Sequence, residues 1–169
     1  MAARTRRLFF ACWPNDQIRQ AVIQRRQLID GLSRRRVPAH NFHLTLLFLG
    51  NQPASRLEEI QSVAGEISTA SFGFQLDRFG WFPGARVAWL GGEAPAAVCE
   101  LVSALTTAMD GIGLQFDART FHPHITLFRQ VGQRPDFPQP APLEWSVSEF
   151  ALIESISSKP YQVLRKWPV

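Results

Sequence analysis

Cysteine is nearly absent. The chain of 169 residues holds two, Cys12 and Cys99, and neither belongs to a CxxC pair or to a Cys/His spacing that would ligate zinc. A zinc ribbon and a disulfide scaffold are thereby excluded. The apolar neighbours of both residues are those expected of buried thiols in a reducing compartment. Lysine is almost as rare, since sixteen of the eighteen cations are arginine. No apolar run is long enough to span a bilayer. The start, MAARTRRLFFACW, has the basic-then-apolar order of a secretion signal. Its apolar stretch stops at Pro14-Asn15-Asp16 and offers no small-residue cleavage site, so a first β-strand of a cytoplasmic protein is the expectation. Low-complexity segments and short-period repeats are also missing.

What is there suits one domain spanning residues 1–169. Hydrophobic residues make up 46% and charged residues 19%, enough apolar material for a core that needs no disulfide or metal to hold it. The net charge of +4 is unevenly spread. Residues 1–36 carry nine arginines against Asp16 and Asp30, and the rest of the chain is slightly acidic. Guanidinium suits phosphate because its planar fork donates two hydrogen bonds at once. An anionic partner such as RNA fits that charge; an ordinary basic surface fits it too. Arg34-Arg35-Arg36 reads either as a solvated loop or as an electrostatic guide for an RNA backbone.

Periodicity gives the elements. Arg6 to Cys12 reads as a strand. Pro14-Asn15-Asp16 starts a helix that runs to about Gly31, with Ile18, Val22, Ile29 and Leu32 on one face. Asn41 to Leu49 is a strand closed by Gly50-Asn51. Leu57, Ile60, Ala64 and Ile67 mark a second helix. Phe72, Phe74 and Leu76 alternate as a strand, joined through Phe82-Pro83-Gly84 to a strand from Arg86 to Leu90. A third helix presents Val98, Leu101, Leu105 and Met109 and ends at Gly111 and Gly113. Phe121 to Arg129 is a strand, the segment from Val131 to Pro142 with its four prolines is a loop, and Val147 to Ile153 and Tyr161 to Trp167 are the last strands. The order β-α-β-α-β-β-α-β-β-β is an α+β pattern with helices on largely antiparallel sheet.

One long-range echo stands out. His43-Leu44-Thr45-Leu46 recurs as His124-Ile125-Thr126-Leu127, and two of the four histidines thus sit in matching contexts. Alternation along a strand puts His43 and Thr45 on one face, and His124 and Thr126 likewise. Two similar lobes would each bring one imidazole and one hydroxyl to a shared cleft. A neutral imidazole can take a proton from water while a protonated one gives a proton to a leaving oxygen, because histidine titrates near working pH. The hydroxyls can donate to non-bridging phosphate oxygens. This chemistry needs no metal and no cofactor. His122 and His124 do form an HxH pair with metal-ligand spacing, for which Asp117 is the nearest acidic partner. His122 is otherwise a neighbour that orients the strand or meets solvent, and His40 lies in a surface turn.

These motifs carry a resemblance. The stretches RLFFACWP at 7–14, VPAHNFHLTLLFLG at 37–50, RVAWLG at 86–91, FHPHITLFR at 121–129, and ES followed by YQVLRKWPV from 154 onward resemble the two-histidine phosphoesterase superfamily. Within it they are most similar to RNA 2′,3′-cyclic phosphodiesterases, also called 2′-5′ RNA ligases. The resemblance implies a bilobal α+β fold with pseudo-twofold lobes, helices outside and a central cleft. It implies an enzyme that opens RNA 2′,3′-cyclic phosphate ends to a 2′-phosphate, and a two-lobed chain that completes its own site makes a monomer the expectation. His43 would be the proton donor, His124 the proton acceptor, and Thr45 and Thr126 would hold phosphate oxygens. Arg129 matches a phosphate-binding arginine of these enzymes, and Tyr161 matches one of their C-terminal positions, where it either closes the cleft or has a structural role. Strict alternation would point Arg129 away from His124, so a bulge or the strand end must redirect it. Phe9 and Phe48 are placed either to stack a base or to pack in the core. The alternatives are action on 2′-5′-linked oligonucleotides or another small cyclic phosphate, RNA ligation by the same chemistry in reverse, and a non-catalytic RNA-binding module. Intact histidines and threonines in both motifs argue against the last.

Overall fold

The computed structural model describes residues 4–169; Met1 to Ala3, the first residues of the signal-like start, lie outside the described residues. Among the described residues ten strands and three α-helices follow in chain order: β1 (Thr5–Cys12), α1 (Asp16–Gln27), β2 (Arg35–Arg36), β3 (Leu44–Pro53), α2 (Leu57–Gly65), β4 (Phe72–Leu76), β5 (Arg78–Phe82), β6 (Val87–Gly91), α3 (Ala96–Gly111), β7 (His124–Arg129), β8 (Leu143–Val147), β9 (Glu149–Glu154) and β10 (Gln162–Pro168). Seven strands form one path, β10-β9-β1-β3-β7-β6-β5, with the short β2 beside β7; β4 and β8 make a separate two-stranded sheet. Every pairing is antiparallel. This is the expected α+β class. Among the described residues no helix is long and apolar enough to cross a membrane.

β1 shows why the sheet has two working faces. Leu8, Phe10 and Cys12 point into the main core, which also takes Val22 of α1, Ile60 of α2 and Leu101 and Leu105 of α3. Phe9 and Ala11 point the other way and join Ala151 and Ile153 in a smaller cluster against Trp13, Phe48 and Tyr161. The helices thus cover one face, and the opposite face is left to build a site. Burying a side chain such as Phe10 fully from water stabilises the fold by about 1.5–3 kcal/mol. Burial also pushes the Cys12 thiol up to about 12, which leaves it inert. Cys99 departs from expectation: it lies exposed on α3, because the buried stripe of that helix is carried by Val98, Leu101, Leu105 and Met109.

Several boundaries differ from the sequence reading, each for a local reason. α1 starts as expected, with the Asn15 side chain accepting the Ile18 N–H at 2.9 Å. It ends at Gln27, not near Gly31. The N–H groups of Leu28, Ile29 and Asp30 bond three residues back, so the chain tightens into turns before Gly31 at φ +90°. The last-turn arginines then act as staples. Arg26 donates to the Val37 carbonyl at 2.6 Å, and Arg25 to the carbonyls of Ala141 and Pro142, which pins the end of the proline-rich loop.

The alternation at Phe72, Phe74 and Leu76 is β4, and a second strand that the sequence reading did not separate, β5, follows it up to Phe82. The break lies at Asp77, whose N–H bonds the Gly91 carbonyl, and it sends β4 to β8 and β5 to β6. The strand expected from Val147 to Ile153 is β9, which starts at Glu149; Val147 instead ends β8, a strand absent from the sequence reading, and Ser148 separates the two. Arg35-Arg36, expected in a loop, pairs as β2 with Arg129 and Phe128. β3 does not stop at Gly50: that residue, at φ +70°, bends the strand at an irregularity and the pairing continues to Pro53.

Candidate active site

β3 and β7 meet at one register pair, Leu44 with Ile125, and run antiparallel from it. The two His-x-Thr motifs therefore lie side by side, related by a local pseudo-twofold at that pair. The histidines are less strand-like than expected: His43 precedes β3 and His124 is the first residue of β7. That position lets each ring turn back on its own chain. His43 Nδ1 donates to the Asn41 carbonyl at 2.7 Å, and His124 Nδ1 donates to the His122 carbonyl at 2.5 Å. A carbonyl only accepts, so Nδ1 carries the proton in both neutral rings and Nε2 is the lone-pair nitrogen. The His43 Nε2 lies 3.0 Å from the Thr45 hydroxyl, which shows the shared face that alternation required.

The same bulge follows each motif. In β3, Thr45 pairs with Ala11 and Leu47 with Phe10, so Leu46 opposes no residue. In β7, Thr126 pairs with Trp89 and Phe128 with Ala88, so Leu127 opposes none. An extra residue resets the alternation. Leu46 and Leu47 are both buried, as are Leu127 and Phe128. The fifth residue after each histidine then returns to the cleft face: Phe48 in one lobe, Arg129 in the other. This is the redirection that Arg129 needed.

Arg7, Phe9, His43, Thr45, Phe48, Arg119, Thr126, Arg129, Ser155 and Tyr161 line a cavity of about 280 Å³. A neighbouring cavity of about 350 Å³ is walled by Phe82, Val87, His122 and His124 and shares Arg119, Thr126 and Arg129 with the first. The shared walls make them two parts of one groove, with one histidine of the repeated motif in each part. Every residue assigned to the site from sequence lies along this groove.

Aromatic rings hold both imidazoles. Trp13 stacks on His43 at 5.8 Å with 9° between planes, and Phe9 and Tyr161 pack on it at 5.0 and 5.3 Å. Phe82 meets His124 edge-on at 5.0 Å, and Trp89 lies 6.0 Å away. Gly80 makes room for that indole: a Cβ there would come within 2.1 Å of the Trp89 ring. Burial dominates the electrostatics of both rings. It drives His43 down to about 4, helped by the positive charge of His124 and Arg129 and opposed by the Asn41 carbonyl. His124 is lowered for the same first reason, with His122 and Arg129 adding to the effect and the His122 carbonyl opposing it. Burial thus favours the neutral form of both imidazoles.

The other histidines fall where the sequence put them. His122 is exposed and contributes its carbonyl, and His40 is an exposed turn residue. Asp117 does not approach the His122–His124 pair through a metal-like cluster; its carboxylate is held by Arg119 at 2.8 Å. Among the described residues no three His, Cys, Asp or Glu side chains gather as metal ligands. Sequence reasoning missed Arg7, Trp13, Asn41, Phe82, Trp89 and Arg119. Of these, Asn41 and Trp13 had a signal: one stands two residues before His43, and the other directly follows the strand that pairs with the first motif. Arg119 stands five residues before His124 in the loop that leads into β7, and Arg7, Phe82 and Trp89 reach the groove from strands far away in the chain.

The LigT-like phosphoesterase family model matches residues 13–89. The RNA 2′,3′-cyclic phosphodiesterase of Escherichia coli K12 is 34% identical over 168 residues, covering 95% of this chain and 95% of that protein. The protein of the same name from Thermus thermophilus is 29% identical, covering 95% and 89%. Among solved structures, E. coli LigT complexed with 3′-AMP matches with a TM-score of 0.90 at 32% identity over 98% of this chain and 99% of that one.

Proposed function

The chain belongs to the LigT-like phosphoesterase family, and on that premise we propose that it hydrolyses the 2′,3′-cyclic phosphate at RNA 3′ ends to a 2′-phosphate. The observation that carries this reading is the paired geometry: two imidazoles, each tied at Nδ1 to a carbonyl, line one groove, with the Thr45 hydroxyl at His43 Nε2 and Thr126 sharing the wall with His124. His124 takes a proton from the attacking water as its oxygen bonds to phosphorus. His43 gives a proton to the ribose 3′ oxygen as the P–O3′ bond breaks. Thr45, Thr126 and Arg129 hold the non-bridging oxygens, where charge accumulates. Phe9, Phe48 and Tyr161 form the apolar wall for the terminal nucleoside. One chain supplies both motifs, so a monomer, a single domain across 1–169, completes the site; a substrate of RNA ends fits work in the cytoplasm.

The test is incubation with a 2′,3′-cyclic nucleotide in EDTA, with the product identified. Two histidines that supply both proton transfers leave nothing for a metal to do, so the rate should be unchanged by EDTA and the product a 2′-phosphate. Loss of activity that zinc restores, or a 3′-phosphate product, would overturn the scheme.

A second reading exchanges the histidine roles. Desolvation is heavier at His43, which is driven down to about 4, and a more strongly neutral ring is the better-prepared base in the empty groove.

Either assignment predicts a particular pH dependence. Catalysis needs one ring protonated and one neutral, and both are held below the usual histidine value in the free enzyme. The descending limb of kcat/KM reports the free enzyme and should begin below about pH 6.5, then fall about tenfold per pH unit. A bound cyclic phosphate is an anion beside both rings and favours the imidazolium. The descending limb of kcat should therefore lie at higher pH than that of kcat/KM. Superimposed limbs would mean that substrate charge does not supply the missing proton affinity.

A further inference from the structure

The pseudo-twofold leaves one mismatch. Five residues after His124 the groove receives a cation, Arg129; five residues after His43 it receives an aromatic ring, Phe48. The cation of that half comes from the neighbouring strand. Arg7 of β1 sets its guanidinium 5.0 Å over the Phe48 ring and lines the groove. Its neighbour Arg6 turns the other way to Glu154, and Arg119 at the groove's rim is held by Asp117. Among the described residues Arg7 and Arg129 are the groove arginines with no carboxylate partner. Stacking engages the face of a guanidinium and leaves its rim of N–H donors free. Because β3 and β7 run in opposite directions from the Leu44–Ile125 pair, Arg7 and Arg129 flank the His/Thr row at opposite ends.

We propose that Arg7, seated on Phe48, binds a second phosphate of the substrate: the one attached to the 5′ oxygen of the terminal nucleoside. The proposal rests on the reading of the groove as a cyclic phosphodiesterase site. Arg129 takes the reacting cyclic phosphate and Arg7 takes the link to the preceding nucleotide, so the enzyme selects polynucleotide ends over cyclic nucleosides with a bare 5′ hydroxyl. Phe48 is the positioning residue that holds Arg7 against solvent.

The experiment measures kcat and KM for 2′,3′-cyclic AMP and for the same compound carrying a 5′-phosphate, in wild type, Arg7→Gln, Arg7→Lys, Phe48→Leu and Arg35→Gln. One charge-assisted contact at an exposed site corresponds to about tenfold. Wild type should prefer the 5′-phosphorylated compound by about that factor, through KM. Arg7→Gln should collapse the ratio of the two kcat/KM values to near one, Arg7→Lys should keep part of it, and Phe48→Leu should diminish it. Circular dichroism checks that each variant is folded. Wild type without a preference, or a preference that survives in Arg7→Gln, overturns the proposal. A preference lost instead in Arg35→Gln also overturns it, since Arg35 pairs with Arg129 at the other end. Failure to turn over either compound would sink the phosphodiesterase reading itself, which is a different result from equal turnover of both.

Discussion

His43→Ala and His124→Ala should each remain folded and each lose a factor of about 10²–10⁴ in kcat, the usual contribution of one acid or base group. Folding should survive because neither imidazole belongs to the main core. Each is tied to the backbone of its own chain two residues upstream, and Leu44, Leu46, Ile125 and Leu127 keep the strands in place from the other face. The double variant should be little worse than either single one. The two proton transfers belong to one displacement, and residues that act as a unit are far from additive. Thr45→Ala and Thr126→Ala should cost less, since each removes a neutral donor that water partly replaces. The two need not match: Thr45 also bonds the His43 Nε2, so its loss frees that ring as well as the phosphate contact. Steady-state kinetics on a 2′,3′-cyclic nucleotide, with circular dichroism alongside, checks the series. A folded variant lacking either histidine with near-normal turnover would remove the acid–base scheme.

The chemistry was legible because it repeats. Two His-x-Thr copies on apolar-backed strands can be found by reading, and the side that each threonine takes follows from strand alternation. The wall around the chemistry was far less legible. Arg7, Phe82 and Trp89 are distant from the motifs in sequence and reach the groove through sheet pairing, which a local pattern does not encode. The bulges were half legible. The paired apolar residues Leu46-Leu47 and Leu127-Phe128 interrupt alternation in both copies, and the need to redirect Arg129 was visible, but the register that resolves it is a property of β1 and β6 as much as of β3 and β7. The strand count was blurred where the chain changes sheet without a glycine or proline to mark it, as at Asp77 and Ser148. Cys99 was misjudged because neighbours in sequence are not neighbours on a helix surface.

Which histidine is the acid should be readable as a rescue of about 10²-fold or more. The measurement uses a 3′-deoxynucleoside 2′-(4-nitrophenyl phosphate), whose nitrophenolate takes the place of the ribose 3′ oxygen. That anion departs without a proton, so a general acid has little left to contribute, whereas attack by water still needs its base. If His43 is the proton donor, His43→Ala should approach wild-type turnover of this compound while His124→Ala stays down by about 10²–10⁴. The geometry sets a real contest. Burial holds His43 down to about 4 in the empty groove, which favours a neutral ring there. Yet an acid used only in the transition state needs its proton only when the substrate anion is present, and the Trp13 ring stacked on His43 is a surface on which an imidazolium gains stability. His124, less heavily desolvated and beside the exposed His122, exchanges its proton with solvent more readily, as a base must after each turnover. On these grounds the rescue should appear at His43. Rescue of His124→Ala alone would assign the roles the other way round, and rescue of neither variant would mean that both rings serve the attacking side or the phosphate itself.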